Sequence, residues 1–241
     1  MSAERSVTWA GIVGITALCW WYLIDMDMMS MMIRGEWSGS DWVAMSLMWI
    51  VMMIAMMLPS ALPMILMFQA ITTRRQPGVN PILAVYLFTL GYIFAWALFS
   101  VLATVLQWWL QQRQLLTPML ESRSILFSAG ILLAAGLYQW LPLKDSCLAR
   151  CRTPVGFLTA YWRSGGVGAL VMGFHHGVFC LGCCWLLMLL LFAGGVMNLL
   201  LVAALAVFVL LEKVLPGGWP VSRLSGGLMI GAAGYLVLVP A

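Results

Sequence analysis

The sequence predicts an all-α fold, a polytopic bundle of transmembrane helices that forms a single integral membrane domain over residues 1–241. Hydrophobic residues make up 63% of the chain and charged residues only 8%, whereas roughly a quarter of a soluble domain is charged. The apolar residues form several runs of about 20 residues, the length that a helix needs to cross a bilayer. No polar linker between these runs is long enough to separate two domains.

The apolar runs predict about seven spans, with six as the alternative if the sixth or seventh does not cross. The first run lacks a small-residue cleavage site and is followed by Trp20, Trp21 and Tyr22, so we expect a retained span and no signal peptide. The second contains Pro59 and Pro63, which predict a kink. The expected spans are residues 7–24, 42–69, 81–106, 124–141, 167–190, 196–211 and 224–239.

The basic residues predict the orientation of the chain. With a cytoplasmic N-terminus, nine of the twelve Lys and Arg residues fall in cytoplasmic segments and three in external ones, as the positive-inside rule requires. Seven spans then place the C-terminus outside. The net charge of +4 is scattered between the spans, which predicts the lipid bilayer as a partner and no nucleic-acid binding.

The fifth span carries the residues with the most distinctive chemistry. It contains both histidines and three of the six cysteines of the chain. His176, Cys180 and Cys184 follow at i, i+4 and i+8 and so share one helix face, with Cys183 beside them, while His175 points roughly 100° away. Imidazole and thiol groups in an apolar span indicate a functional site, here one for a soft metal ion.

A purely structural interpretation of the same span is also open. Gly173 and Gly177 form a GxxxG pair, which lets a neighbouring helix approach closely. A free cysteine behaves as a small hydrophobic residue, so a single cysteine in this span would indicate packing. The clustering of three cysteines one turn after two histidines favours the functional interpretation.

Methionine is the second source of soft ligands. The chain has 19 methionines, and thioethers suit Cu(I). Met52, Met56 and Met57 lie at a depth in the second span that lets them face the cysteines of the fifth. The alternative is that methionine only fills irregular helix contacts. Two groups stand out, an outer loop with Met26, Met28, Met29, Met31 and Met32, and a helix face with Met45, Met48, Met52 and Met56.

Two further clusters lie towards the cytoplasmic side of the predicted spans. Cys147 and Cys151 are four residues apart among Lys and Arg side chains, which favour the thiolate and make a second metal or thiol site plausible. Glu212 and Lys213 end the sixth span, and an adjacent acid and base at such a position are expected to extend to the water. A role in gating or in support of the site is the alternative.

Three blocks of the sequence resemble the signature of an uncharacterised bacterial family of predicted metal-binding integral membrane proteins. They are MMIAMMLPSALP (52–63), YQWLPLKDSCLARCRTPVGF (138–157) and HHGVFCLGCCWLLMLLLFAGGVMN (175–198), followed by LEK (211–213). The distinctive parts are AMMLPS, PLKxxCLxxCR and CLGCCW. The resemblance implies a bacterial inner-membrane protein with a metal site. Its positions in this chain are Met56, Met57, Pro59, Ser60, Lys144, Cys147, Cys151, Cys180, Cys183 and Cys184.

These observations lead to one main functional hypothesis and two alternatives. We expect a membrane protein that binds a soft metal, preferably Cu(I), and acts in its delivery, translocation or homeostasis without covalent catalysis. A metal chaperone or another membrane protein is the expected partner, and another soft metal or haem remains open as the ligand. The alternatives are a membrane thiol–disulfide oxidoreductase and an assembly or scaffold subunit. The expected metal ligands are Cys180, Cys183, Cys184, His176, His175, Met52, Met56, Met57, Cys147 and Cys151.

Overall fold

The computed structural model describes residues 3–26, 37–76, 78–117, 120–215 and 219–239. In these ranges the chain forms nine α-helices and no β-strand, which confirms the all-α fold class. The helices are α1 (Ala3–Asp25), α2 (Gly39–Arg75), α3 (Pro81–Gln112), α4 (Ile125–Tyr138), α5 (Pro142–Arg152), α6 (Pro154–Tyr161), α7 (Gly165–Gly194), α8 (Leu199–Val214) and α9 (Trp219–Leu238).

The number of possible spans is lower than the seven that the apolar runs predict. Among the described residues, five helices are long and apolar enough to cross a membrane, α1, α2, α3, α7 and α9, or six if α4 and α5 form one broken span. The predicted fourth span corresponds to α4, which has 14 residues and meets α5 at a bend of 66°. The predicted sixth span corresponds to α8, whose 16 residues extend only about 24 Å at 1.5 Å per residue.

Proline shapes two of these helices. Leu141 precedes Pro142 and is extended, with φ −76° and ψ 136°, as expected for a residue before proline, and the α4–α5 bend falls there. By contrast, α2 runs through Pro59 and Pro63. Pro59 has no N–H for the carbonyl of Ala55, and the indole N–H of Trp20 donates to that carbonyl instead, at 3.2 Å.

The long helices define two ends of the bundle. The side-chain amide of Gln69 donates to the Glu4 carbonyl, so α1 and α2 are antiparallel. Trp49 near the start of α2 donates to Gln107 near the end of α3, so this pair is antiparallel too. We call the end with Glu4, Arg75 and Gly165 the first end, and the end with Asp25, Ser38 and Gly194 the second end.

Helices α3 and α7 run parallel and form the closest pair. A Cβ atom on Gly173 would lie 2.7 Å from the carbonyl carbon of Phe88, and one on Gly177 would lie 2.6 Å from the Cβ of Ala95. Both distances are shorter than van der Waals contact, so only glycine permits this approach of the two backbones. The predicted role of Gly173 and Gly177 in close helix packing is therefore confirmed.

The shorter helices connect the second end with the middle of the bundle. Lys213, near the end of α8, reaches Cys180, halfway along α7. Tyr138 ends α4 and donates to the carbonyl of Gly182 at the same level. The start of α9 lies there as well, because Ser222 donates to Glu212. Polar helix ends at such a depth are tolerated only when other parts of the protein cover them.

Candidate metal centre

Three cysteines of α7 form the centre of the buried cluster. Cys180, Cys183 and Cys184 are at most 1% exposed. The thiols of Cys183 and Cys184 both donate to the carbonyl of Cys180, each at 3.0 Å, as side chains three and four residues on in a helix can do. The thiols of Cys183 and Cys184 are therefore both held beside the Cys180 carbonyl, on a buried face of α7.

A buried ammonium group lies beside these thiols. Nζ of Lys213 is 2.9 Å from Sγ of Cys180 and donates to the hydroxyl of Ser60 at 2.8 Å. The hydroxyl of Tyr92 donates to the carbonyl of Met57 at 3.0 Å and lies 3.1 Å from the same sulfur. The ammonium group of Lys213 therefore stabilises negative charge on the sulfur of Cys180.

One methionine brings a thioether to the cluster. Sδ of Met57 is 4.0 Å from Sγ of Cys184, so the second and fifth predicted spans meet at the cysteines. Met52 and Met56 are also buried, but Met52 lines a cavity nearer the second end, with Met26, Met48 and Met197. The outer-loop residues Met28, Met29, Met31 and Met32 lie outside the described residues.

The two cysteines of α5 belong to the same cluster. The thiols of Cys151 and Cys183 are near enough to interact electrostatically, and a Cβ on Gly182 would lie 2.9 Å from Sγ of Cys147. Both α5 cysteines are half-buried. The sequence predicted a separate site for them at the cytoplasmic face, whereas the bend between α4 and α5 packs them against α7.

The two histidines have different surroundings. The ring of His176 is buried among Tyr92, Phe88 and Phe157, with centroid distances of 5.5, 6.1 and 5.4 Å. His175 instead packs near Tyr161, at 5.9 Å, which agrees with its predicted direction away from the cysteine face. Nδ1 of each histidine is buried, and the part of the chain that the structure describes offers it no hydrogen-bond partner.

A second buried network lies next to the thiols. Nζ of Lys144 is 2.8 and 2.9 Å from the two carboxylate oxygens of Glu212, and these side chains are 0% and 1% exposed. Gln139 accepts a further hydrogen bond from Lys144, and Ser222 donates to Glu212 at 2.7 Å. The expectation that Glu212 and Lys213 extend to water is wrong, because both side chains find buried partners.

Sequence reasoning missed Lys213, Glu212 and Tyr92 as parts of this site. The sequence did contain evidence for Lys213 and Glu212, since charged residues in an apolar helix usually have a function. Tyr92 gave no signal, because a tyrosine in an apolar helix is also common in packing. Lys144 and Ser60 were named as site positions only through the family resemblance.

The cluster suits a soft ion that accepts few ligands. Among residues 3–26, 37–76, 78–117, 120–215 and 219–239, no three His, Cys, Asp or Glu side chains are arranged to hold a metal ion. The thioether of Met57 lies 4.0 Å from the thiol of Cys184, and that thiol donates to the backbone carbonyl of Cys180. Thiolate and thioether ligands select Cu(I), and the unpartnered Nδ1 of His176 is another available donor.

Several long apolar helices are compatible with a multi-pass membrane protein, and the buried sulfur atoms are of the kind that soft metal ions prefer as ligands. The family model of PpoB2, described as a copper chaperone, matches residues 46–236. The chain therefore belongs to this copper chaperone family, which indicates a copper-related role. No curated protein and no solved structure matches the chain.

Proposed function

We propose that this protein binds Cu(I) inside the membrane and delivers it to a partner protein. The observation that carries the proposal is the meeting of Cys180, Cys184 and Met57 beside the ammonium group of Lys213. Cys183 is the adjacent thiol that can replace one of these ligands. His176 is a further donor, because its Nδ1 has no partner among the described residues.

Charge balance favours this arrangement. Cu(I) bound by two thiolates has a net charge of minus one, which is costly to bury in an apolar environment. The positive charge of Lys213 lies 2.9 Å from one of these sulfurs and offsets that charge. Lys144 and Glu212 neutralise one another, so they leave the charge of Lys213 available to the sulfur cluster.

Cys151 and Cys147 provide a path for release. Cys151 lies next to Cys183 and is half-buried, so it connects the buried thiols with a less buried position. Exchange between neighbouring thiols lets an ion move without leaving sulfur coordination. The direction of release that we propose is towards the first end.

The orientation belongs to the same proposal. Arg5, Arg74, Arg75 and Arg163 cluster at the first end of the bundle, and the positive-inside rule supports a cytoplasmic location for that end. Helix α1 begins at this end and α9 finishes near the second, where Leu236 lies in one groove with Ser122. The N-terminal helix would then begin in the cytoplasm and the C-terminal helix would end outside, in a bacterial inner membrane.

The test is anaerobic Cu(I) loading of the detergent-purified protein, followed by copper and protein quantification. We expect a Cys180→Ser/Cys184→Ser variant to lose the copper that binds most tightly to the parent. Cys19→Ser is the matched control, because this partly buried cysteine lies in α1, which supplies none of the thiols of the cluster. Equal copper content and equal affinity in the parent and the double variant would contradict the proposal.

A thiol–disulfide oxidoreductase is the second candidate. The observation that favours it is the contact between Cys151 and Cys183, on two different helices. In that reaction the two thiols would form a disulfide and pass two electrons and two protons to an acceptor such as a quinone. Mass spectrometry of the reduced protein after addition of a quinone distinguishes the candidates. A Cys151–Cys183 disulfide that forms as the quinone is reduced to quinol supports the oxidoreductase, and thiols that stay free support the metal site.

A further inference from the structure

A small cavity nearer the second end is lined largely by methionines. Four of its eight lining residues are methionines, namely Met26 just after α1, Met48 and Met52 from α2, and Met197 just before α8. The other four are aliphatic side chains. This group of four methionines combines two that the sequence placed on one helix face with two from distant parts of the chain.

The size of the cavity limits what it can hold. Its free space is about 10 Å³, close to the volume of one water-sized sphere. An organic ligand does not fit this space. A water molecule would find no hydrogen-bonding side chain better than a thioether, which is a weak acceptor. A single soft cation matches both the volume and the lining, because neutral thioethers bind Cu(I) without the loss of a proton.

The position of the cavity relates it to the thiol cluster. Met52 precedes Met57 by five residues on α2, which is about 7.5 Å along the helix. Met26 is followed in the sequence by residues 27–36, which include four more methionines and the acidic residues Asp27 and Glu36. The cavity therefore lies beside the part of α2 that leads to the Met57–Cys184 contact, on the side of the second end.

We propose that Met26, Met48, Met52 and Met197 form a second soft-metal site, which holds Cu(I) through thioethers alone and exchanges it with the thiol cluster. The identity of the ion rests on the proposed function. Thioether ligands bind Cu(I) more weakly than thiolates do, so this site takes up Cu(I) after the thiol cluster and releases it before the thiol cluster does. Such a site suits transfer, because a transferred ion must be able to leave its ligands.

The experiment compares Cu(I) binding by three variants with the parent, in competition with a chromophoric Cu(I) chelator under anaerobic conditions. The cavity variant carries Met48→Leu, Met52→Leu and Met197→Leu, which nearly preserve volume and apolar character. The thiol variant carries Cys180→Ser and Cys184→Ser. The control variant carries Met64→Leu, Met67→Leu and Met229→Leu, three methionines that do not line the cavity.

The parent and the control are expected to bind two equivalents of Cu(I), one tightly and the other with an affinity at least tenfold lower. The cavity variant should keep the tight equivalent and lose the weak one, and the thiol variant should keep the weak one. Two equivalents in the cavity variant would overturn the second site and leave the thiol site standing. Unchanged binding by the thiol variant would instead overturn the proposed function.

Two further measurements identify the ligands of the weakly bound copper and replace the triple variant if it does not fold. X-ray absorption of copper in the thiol variant should show a shell of sulfur neighbours, and a shell of only nitrogen and oxygen would overturn the thioether site. If the triple cavity variant does not fold, Met52→Leu and Met197→Leu are measured singly. Each should weaken the second equivalent at least tenfold, and unchanged affinity in both would refute the proposal.

Discussion

Replacement of Lys213 by methionine tests the charge balance at the thiol cluster. The change removes the positive charge and keeps an unbranched side chain of similar length in a buried position. Ser60 keeps its hydrogen bond to the Met57 carbonyl, at 2.8 Å, so the substitution does not leave that hydroxyl without a partner. Only the interaction with Cys180, at 2.9 Å, is lost without replacement.

The size of the effect follows from that contact. A hydrogen bond to a charged group contributes about 1.5–3 kcal/mol, and each 1.4 kcal/mol is tenfold in affinity. Because the ammonium group interacts most strongly when the sulfur is negative, the loss falls on the copper-bound thiolate state. We therefore expect Lys213→Met to weaken tight Cu(I) binding about ten- to a hundredfold.

Competition with a chromophoric Cu(I) chelator measures this change. Lys213→Arg should retain most of the affinity because it keeps the charge. Arg74→Met changes the net charge equally at an exposed position at the end of α2 and should leave binding unchanged. An affinity of Lys213→Met equal to that of the parent would refute the role that we assign to this charge.

Two more predictions concern stability, measured by unfolding in mixed detergent micelles. Glu212→Gln leaves the buried Lys144 without its charged partner and should lower the free energy of unfolding by about 3–5 kcal/mol. Glu121→Gln, at an exposed position, should change it by no more than about 0.5 kcal/mol. Equal effects of the two substitutions would show that the buried pair is not formed. Gly173→Ala forces α3 and α7 apart and should lower the free energy of unfolding by about 1–3 kcal/mol. Gly130→Ala adds a Cβ with no atom within 4 Å and should be neutral or stabilising. The reverse order would contradict the close packing of α3 on α7.

The sequence was sufficient for the fold class but not for the number of spans. A low share of charged residues and long apolar runs are global properties, and they predict a helical bundle directly. A short helix that ends inside the bundle is as apolar as one that crosses, so hydropathy did not distinguish α8 from a span. Its polar end was expected in water because its partners are far away in sequence: Ser60 is 153 residues from Lys213, and Lys144 is 68 from Glu212.

For the candidate site, helix periodicity predicted what lies within one helix. The buried face with His176, Cys180 and Cys184 and the outward turn of His175 follow from 3.6 residues per turn. Contacts between helices depend on how the helices are rotated, which periodicity does not specify. That is why periodicity did not distinguish Met57 from Met52 and Met56, which were expected with it, as the contact of Cys184. It is also why the packing of Cys151 near Cys183 was not foreseen.

X-ray absorption at the copper edge of the parent protein, loaded with one equivalent of Cu(I), tests the central claim most directly. We expect a low-coordinate Cu(I) ion surrounded by sulfur. The absorption spectrum should change in Cys180→Ser/Cys184→Ser and stay the same in Cys19→Ser. A shell dominated by nitrogen and oxygen, or a spectrum that does not change in the double variant, would contradict it.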